Sequence, residues 1–451
     1  MKPDYRAERA RQAHEAAAGL ALQSIAAVAL TWVDNAGITR MKGVPIDRLD
    51  RAAQWGVGAS PVFDTFGVDD SLVMGRYAGG PVGDLRLYPD LRRLTVLAGQ
   101  PGWAWAPADR YDQEGVRHPQ DARAVLQAQV DRLRHLGCTV STGFEVEWCV
   151  SSGGTDEFVP AGRGPAYGMA RVVELSDYLR ALLGALTAQG VAIEQLHPEY
   201  APGQFEVSFS PQDPVDAADT AVLVRETVRA VSTRRGLRAT FAPKVVAGGV
   251  GNGGHIHLSL WRGERNLMSG GDGPAGMTAE GEAFAAGILT RLPALLAIGA
   301  PSVASYLRLV PSHWAGAYAC WGRENREAAL RFITGSVGER DKAANVEVKC
   351  FDPAANPYLA VAALLCAGVA GLADDARLPE PIDVDPASLP DAPRLPSTLG
   401  EAVAAFEADP VLTAGLGEEL ADTIAAVRRG EIAAFEGADN AEIVARTLWS
   451  Y

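Results

Sequence analysis

Residues 143–148 read Gly143-Phe144-Glu145-Val146-Glu147-Trp148, and this stretch decides how the rest of the chain is read. Its alternation has the period of a β-strand, so Phe144, Val146 and Trp148 share one face and Glu145 and Glu147 the other. Three more segments have the same design. Gln204-Phe205-Glu206-Val207-Ser208-Phe209 sets Gln, Glu and Ser on one face, and His255-Ile256-His257-Leu258-Ser259-Leu260 sets His, His and Ser. Val346-Glu347-Val348-Lys349 sets Glu and Lys, and Glu199 precedes the second segment in His197-Pro198-Glu199-Tyr200. Each alone fits a half-exposed strand with a solvated face. Together their polar faces carry metal-ligating residue types in place of the Lys/Thr/Gln mixture of a solvent face. Carboxylates with imidazole suit hard Mg²⁺ or Mn²⁺, whereas zinc favours thiolate and more imidazole. Clustered carboxylates repel one another without cations between them. Two to three metal ions per site are therefore expected, an arrangement common in phosphoryl transfer.

A second concentration of charge runs from Arg308 through Arg323 and Arg326 to Arg331, around Pro311-Ser312-His313-Trp314. It reads either as a helix with a basic surface or as guanidinium forks for carboxylate and phosphate. With the acidic strands, the second reading points to an ATP-dependent reaction on a carboxylate.

The bulk properties bound these readings. A chain of 451 residues suggests two domains, or one with an appendage. A net charge of −14 argues against a nucleic acid or a membrane surface as partner, both of which need clustered Lys and Arg. Cys138, Cys149, Cys320, Cys350 and Cys366 are odd in number and lack CxxC spacing, as in reduced intracellular thiols. Ala16–Leu30 reads as an N-terminal helix leading into a strand, and Pro357–Ala373 as a buried helix too short to span a bilayer. A cytoplasmic location is expected. Residues 27–100 alternate short strands and turns, notably Thr31–Val33, Asn35-Ala36-Gly37 and Ile38–Gly43. Helical spacing follows at Gln120–Leu136, Leu175–Gly190 and Ala217–Thr233. Residues 374–396, rich in Pro and Asp, read as a surface loop.

In order and spacing these segments resemble the glutamine synthetase family over most of the chain. The matching motifs are Gly143–Glu147, Glu199-x-x-x-Gly203-Gln204-x-Glu206, Asn252–Ser259, Tyr306–Pro311, Arg323–Arg326 with Arg331, and Glu347-x-Lys349 followed by Asp352–Tyr358. The resemblance implies an α+β fold: an N-terminal helix (1–25), a β-grasp domain (26–112) and a catalytic domain (113–451) built on an antiparallel half-barrel with flanking helices. It implies that Glu147, Glu199 and Glu206 hold one metal, and Glu145, His255 and Glu347 a second. His257, Ser259 and Arg331 would bind ATP, and Asn252, Gly253 and Arg308 glutamate. Arg326, Glu199 and Lys349 would serve catalysis, with Arg326 neutralising charge as the γ-phosphoryl moves to the carboxylate. It further implies a homo-oligomer of two stacked rings, a dodecamer in its usual form, with active sites between subunits.

Two departures bear on the amine. Trp314 stands where ammonia-using members carry a flap glutamate that closes the site and helps deprotonate ammonium. The ammonium-binding aspartate is also out of place, with Asp64 displaced in Val57–Asp64. These changes imply an apolar pocket of Trp314, Tyr167 and Asp64 for an organic amine's substituent. The reading is a ligase that joins glutamate to an organic monoamine through γ-glutamyl phosphate. Its alternatives, in order, are an ammonia-using glutamine synthetase, a γ-glutamylpolyamine synthetase and an inactive assembly or sensor protein. Asn345 and Lys349 replace arginines common in the family. No tyrosine in Ile382–Leu389 matches the one adenylylated in some bacterial members.

Overall fold

The acidic stretch lies in Thr139–Ser151, an interior strand of a nine-stranded sheet. The structure, a computed structural model, describes residues 3–451. From one edge the strands run Tyr318–Arg323, Ala328–Ile333, Asn345–Val348, Gly254–Arg262, Thr139–Ser151, Gln204–Gln212 and Ile193–Pro198. Arg238–Thr240 and Arg265–Asn266 add short pairings. The sheet is antiparallel as expected except at one edge, where Tyr318–Arg323 and Ala328–Ile333 are parallel. There the link Glu324–Glu327 returns the chain to the beginning of the strand it has just left, so that Tyr318 pairs with Ala328.

Alternation separates chemistry from core. Phe144, Val146, Trp148, Phe205, Val207, Phe209, Ile256 and Leu258 are all buried and belong to one continuous core. Burial of each large side chain contributes roughly 1.5–3 kcal/mol. Helix Pro214–Arg234 packs against the strand Thr139–Ser151. Behind it, helices Ala279–Gly299 and Pro357–Ala373 lie against each other. Their backbones touch at glycines: a Cβ on Gly287 would come 2.3 Å from the Ala367 carbonyl oxygen. Ala279–Gly299 is the one helix among the described residues long and apolar enough to cross a membrane, and 83% of its apolar window is buried in the fold. All five cysteines are buried and unpaired, as their odd number and spacing predicted.

The N-terminal helix is Pro3–Leu22, earlier than Ala16–Leu30 suggested, and the following strand begins at Ala27. A second sheet runs Thr39–Pro45, Ala27–Val33, Trp103–Tyr111, Leu85–Pro89, Val57–Ala59, with Thr95–Val96 beside Trp103–Tyr111. Ala27–Val33 and Trp103–Tyr111 are parallel. The turn at Asn35–Gly37 docks this sheet against Ala354–Asn356 and helix Glu418–Ala434. Gly37 has φ 83°, and a Cβ there would lie 1.8 Å from the Ala354 oxygen. Asn356 Nδ2 donates to the Val33 carbonyl at 3.0 Å, and Arg428 to that of Asn35 at 2.7 Å.

Arg308–Arg331 is not a helix but a turn followed by the two parallel edge strands. Residues 374–396 are not a free loop. Trp321 Nε1 donates to the Pro379 carbonyl, Asn325 Nδ2 to Ile382 and Val384, and the Ala319 amide to Pro393. This strap brings Asp383 and Asp385 beside the flap.

Candidate active site

Strand register assembles the polar face. Glu145 lies opposite His255, Glu147 opposite Glu206, His257 opposite Glu347, and Glu347 opposite Arg331. His255 Nδ1 is 2.9 Å from Glu145 and 3.3 Å from Glu347, and its Nε2 is 4.0 Å from Glu147. Atoms of Glu145, Glu206 and His255 lie within 4.8 Å of one another, as do those of Glu145, His257 and Glu347, and those of His197, Glu199 and Glu206. All six expected metal ligands thus converge, and His197 joins them. It sits 3.4 Å from Glu199 and 3.2 Å from Glu206. The sequence named His197 only as part of a motif, although its strand position opposite Glu206 marks the same face.

The electrostatics of this cluster ask for cations. Burial, then repulsion from Glu206 and Glu199, pushes the Glu147 carboxyl up. Burial also raises Glu199 and Glu206. Burial would raise Glu145 as well, but hydrogen bonds from His255 and His257 hold it well below the usual range. Burial and Lys349 lower His255 to about 4, which leaves a neutral imidazole able to ligate. His257 Nε2 is buried 3.2 Å from Glu145 Oε1. Oxygen-rich and crowded, this donor set fits hard divalent cations.

Around the cluster, Glu147 Oε2 accepts from the Gly253 amide and from Gln204 Nε2, each at 2.8 Å, so its other oxygen faces the cluster. Gly253 admits no side chain, because a Cβ would lie 2.5 Å from His255 Nε2 and 2.7 Å from Glu147 Oε1. Asn252 is fully buried, with Nδ2 donating to Ala242 and Oδ1 accepting from Gln204. Its side chain therefore holds the loop, with a second Nδ2 N–H beyond the bond to Ala242. Arg308 is buried and donates to the Lys349 carbonyl at 3.1 Å, while its second terminal nitrogen has no partner. That unused donor suits a substrate carboxylate. Arg331 bridges Glu347 and Glu324, and Lys349 Nζ donates to Glu347 at 3.1 Å. Ser259 accepts from Trp261 Nε1 at 2.8 Å, on the same strand as His255 and His257.

The three residues expected to form the amine pocket stand in three places. Trp314, half exposed with φ 53°, lines a cleft of about 460 Å³ with Ser312, Arg323–Glu327 and Asp383–Asp385. Its surroundings are charged rather than apolar, because the strap delivers acids that are remote in sequence. Tyr167 faces the Glu199 carboxylate, and burial followed by that charge raises its hydroxyl pKa. Asp64 is buried, with one oxygen 2.7 Å from Arg110 and the other 2.9 Å from His118. Both oxygens are engaged within the chain.

Residues 119–444 match the family model described as glutamine synthetase, catalytic domain. The chain belongs to the glutamine synthetase family and is an ATP-dependent carbon–nitrogen ligase. It is 56% identical to γ-glutamylpolyamine synthetase GlnA3 of Streptomyces coelicolor, over 95% of this chain and 94% of that protein. It is 33% identical to the glutamine synthetase of Methanocaldococcus jannaschii, over 70% of each. Among solved structures, a glutamine synthase homologue superposes with a TM-score of 0.86 at 33% identity, covering 95% of this chain and 99% of that one. A GmaS–ADP complex superposes with a TM-score of 0.83 at 29% identity, covering 94% and 96%.

Proposed function

We propose that this ligase joins the γ-carboxyl of glutamate to an aliphatic amine carrying more than one amino group. The sequence alone ranked a monoamine first, on the expectation of an apolar pocket at Trp314. The observation that carries the revised reading is the ring of carboxylates about Trp314, the complement of a multiply charged amine. The similarity to a γ-glutamylpolyamine synthetase over nearly the whole chain agrees with it.

In this reading Glu147, Glu199 and Glu206 hold one cation and Glu145, His255 and Glu347 a second. When bound there, a divalent ion neutralises phosphate charge and polarises the transferring group. Arg308 and the backbone at Gly253 orient glutamate so that its γ-carboxylate takes the γ-phosphoryl group of ATP. Arg326 and Arg331 face the phosphates, and Lys349 holds Glu347 in place. Glu199, backed by Tyr167, accepts the proton of the attacking ammonium, and phosphate leaves as the amide forms. The double-ring assembly implied by family resemblance is part of the same proposal.

Two outcomes are expected. With ATP, glutamate and Mg²⁺, phosphate release should be supported by putrescine or spermidine and poorly by ammonium. Turnover with ammonium alone would make the chain an ordinary glutamine synthetase. Gln204→Ala, which removes one of the two hydrogen bonds to Glu147 Oε2, should weaken Mn²⁺ affinity about 10- to 100-fold in calorimetric titration. An unchanged affinity would remove Glu147 from the metal site.

A further inference from the structure

Glu327 follows Arg326 directly, and neither the strand pattern nor the family motifs drew attention to it. The structure leaves it 7% exposed on the wall of the Trp314 cleft. One oxygen accepts the Trp314 backbone N–H at 2.6 Å, which ties the flap down. The other, Oε2, is buried and has no hydrogen-bond partner among the described residues. A buried carboxylate oxygen left bare is costly unless something donates to it. The Ser312 backbone N–H lies near Glu327, and Arg323 and Arg326 line the cleft, but neither arginine makes an ion pair with Glu327 among the described residues. Asp383 and Asp385 stand on the same cleft, exposed and unpaired with any Lys or Arg among the described residues, so the site carries more acid than its own bases answer.

The geometry points to Glu327 Oε2, with Asp383 and Asp385 across the cleft, as the seat for the distal ammonium of a diamine or polyamine substrate. The inference rests on the polyamine reading above and assigns its specificity to residues that the family motifs do not include. Placement favours the distal over the reacting nitrogen. The reacting nitrogen must be neutral to attack, and Glu199 with Tyr167 already serves it at the metal cluster. Glu327 lies one step away: Lys349 holds Glu347 at 3.1 Å on the cluster side and is close enough to act on the Glu327 charge on the other. The flap packs on the same lysine, since a Cβ on Gly316 would be 3.1 Å from Lys349 Cβ. Between the two ends, Trp314 and Val384, both half exposed, offer apolar walls to the methylene chain. A cleft of about 460 Å³ has room for it. Burial raises the Glu327 pKa, and Asp385 adds to the rise against the opposing Trp314 hydrogen bond and Lys349 charge.

The test compares putrescine with n-butylamine, which has the same four carbons and no distal charge, in the full-length enzyme. The readout is the ratio of their kcat/KM values. Glu327→Gln keeps the size of the side chain and an acceptor for Trp314. It should lower the putrescine-to-butylamine ratio about 10- to 100-fold, through a raised KM for putrescine. The paired change Asp383→Asn with Asp385→Asn, on exposed positions, should lower it several-fold. Ratios within twofold of wild type in both variants would overturn the assignment. So would an equal loss with both amines, which would make Glu327 a prop for the flap. A wild-type enzyme that turns over neither putrescine nor spermidine would defeat the polyamine reading itself, whatever the variants do.

Discussion

Arg326→Ala should lower kcat for γ-glutamyl amide formation by about 10³-fold while leaving the KM for ATP within a few-fold of wild type. The expectation follows from how the guanidiniums differ. Arg331 is shared between Glu347 and Glu324, and Arg308 is anchored on the Lys349 carbonyl. Arg326 is exposed on the cleft and makes no ion pair or side-chain hydrogen bond among the described residues. In the proposed mechanism, where Arg326 faces the phosphates, a guanidinium with its donors unused is poised for charge that develops only in the transition state. Such groups act on kcat, and removal of one in phosphoryl transfer costs about 10³–10⁵ in rate. Phosphate release at saturating ATP, glutamate and amine is the measurement. Arg326→Lys should recover only part of the loss, because a point charge cannot engage two oxygens in one plane. A KM for ATP that rises in step with the fall in kcat/KM would instead place Arg326 in ground-state nucleotide binding.

How much of this site was legible in the sequence depended on whether its logic was local. Period-2 alternation is a property of five or six consecutive residues, so Glu145, Glu147, Glu206, His255, His257 and Glu347 could be assigned to one face before any pairing was known. Antiparallel register then did what the alternation required, opposing His255 to Glu145 and Glu206 to Glu147. The surroundings of the amine side rest on contacts that are not local. Whether Trp314 faces apolar or acidic neighbours is decided by Asp383 and Asp385, about seventy residues on, carried in by a strap whose Pro-rich composition reads as loop. Asp64 matched a family residue only by proximity in sequence, and its partners Arg110 and His118 lie on a different strand and turn. Glu327 carries no motif at all. What exposes it is an unsatisfied oxygen, which only coordinates reveal.

Arg123→Met should destabilise the fold by about 3–5 kcal/mol, although Arg123 lies outside the active site. Arg123 is buried on helix Ala122–His135 and donates in a two-pronged pair to Asp219, through Nε at 3.0 Å and a terminal nitrogen at 2.9 Å. It also meets Asp90 at 2.9 Å and Asp109 at 3.0 Å, both from the N-terminal sheet region. Asp219 sits on helix Pro214–Arg234, fully buried, and accepts the Tyr358 hydroxyl at 2.7 Å. One guanidinium therefore ties the N-terminal sheet to the helices behind the catalytic sheet. Methionine fills similar volume but leaves the buried Asp219 charge with only Arg93, 3.3 Å away, and the Tyr358 hydroxyl, and this weakened compensation is the main cost. Urea unfolding measures it, and Asp219→Asn in the same background should recover part of the loss. The pH dependence supplies a second check. Burial alone would raise the Asp90 carboxyl, but Arg92 and Arg123 hold it at about 2. A folded-state pKa below the ordinary 3.8 means that Asp90 contributes stability at neutral pH, and that this contribution fades as pH falls from about 4 towards 2. The Asp90 share of the gap between wild type and Arg123→Met should therefore be full at pH 7 and fade across that acid window. A gap that stays constant with pH would mean that Arg123 acts through packing of its alkyl chain and not through its carboxylates.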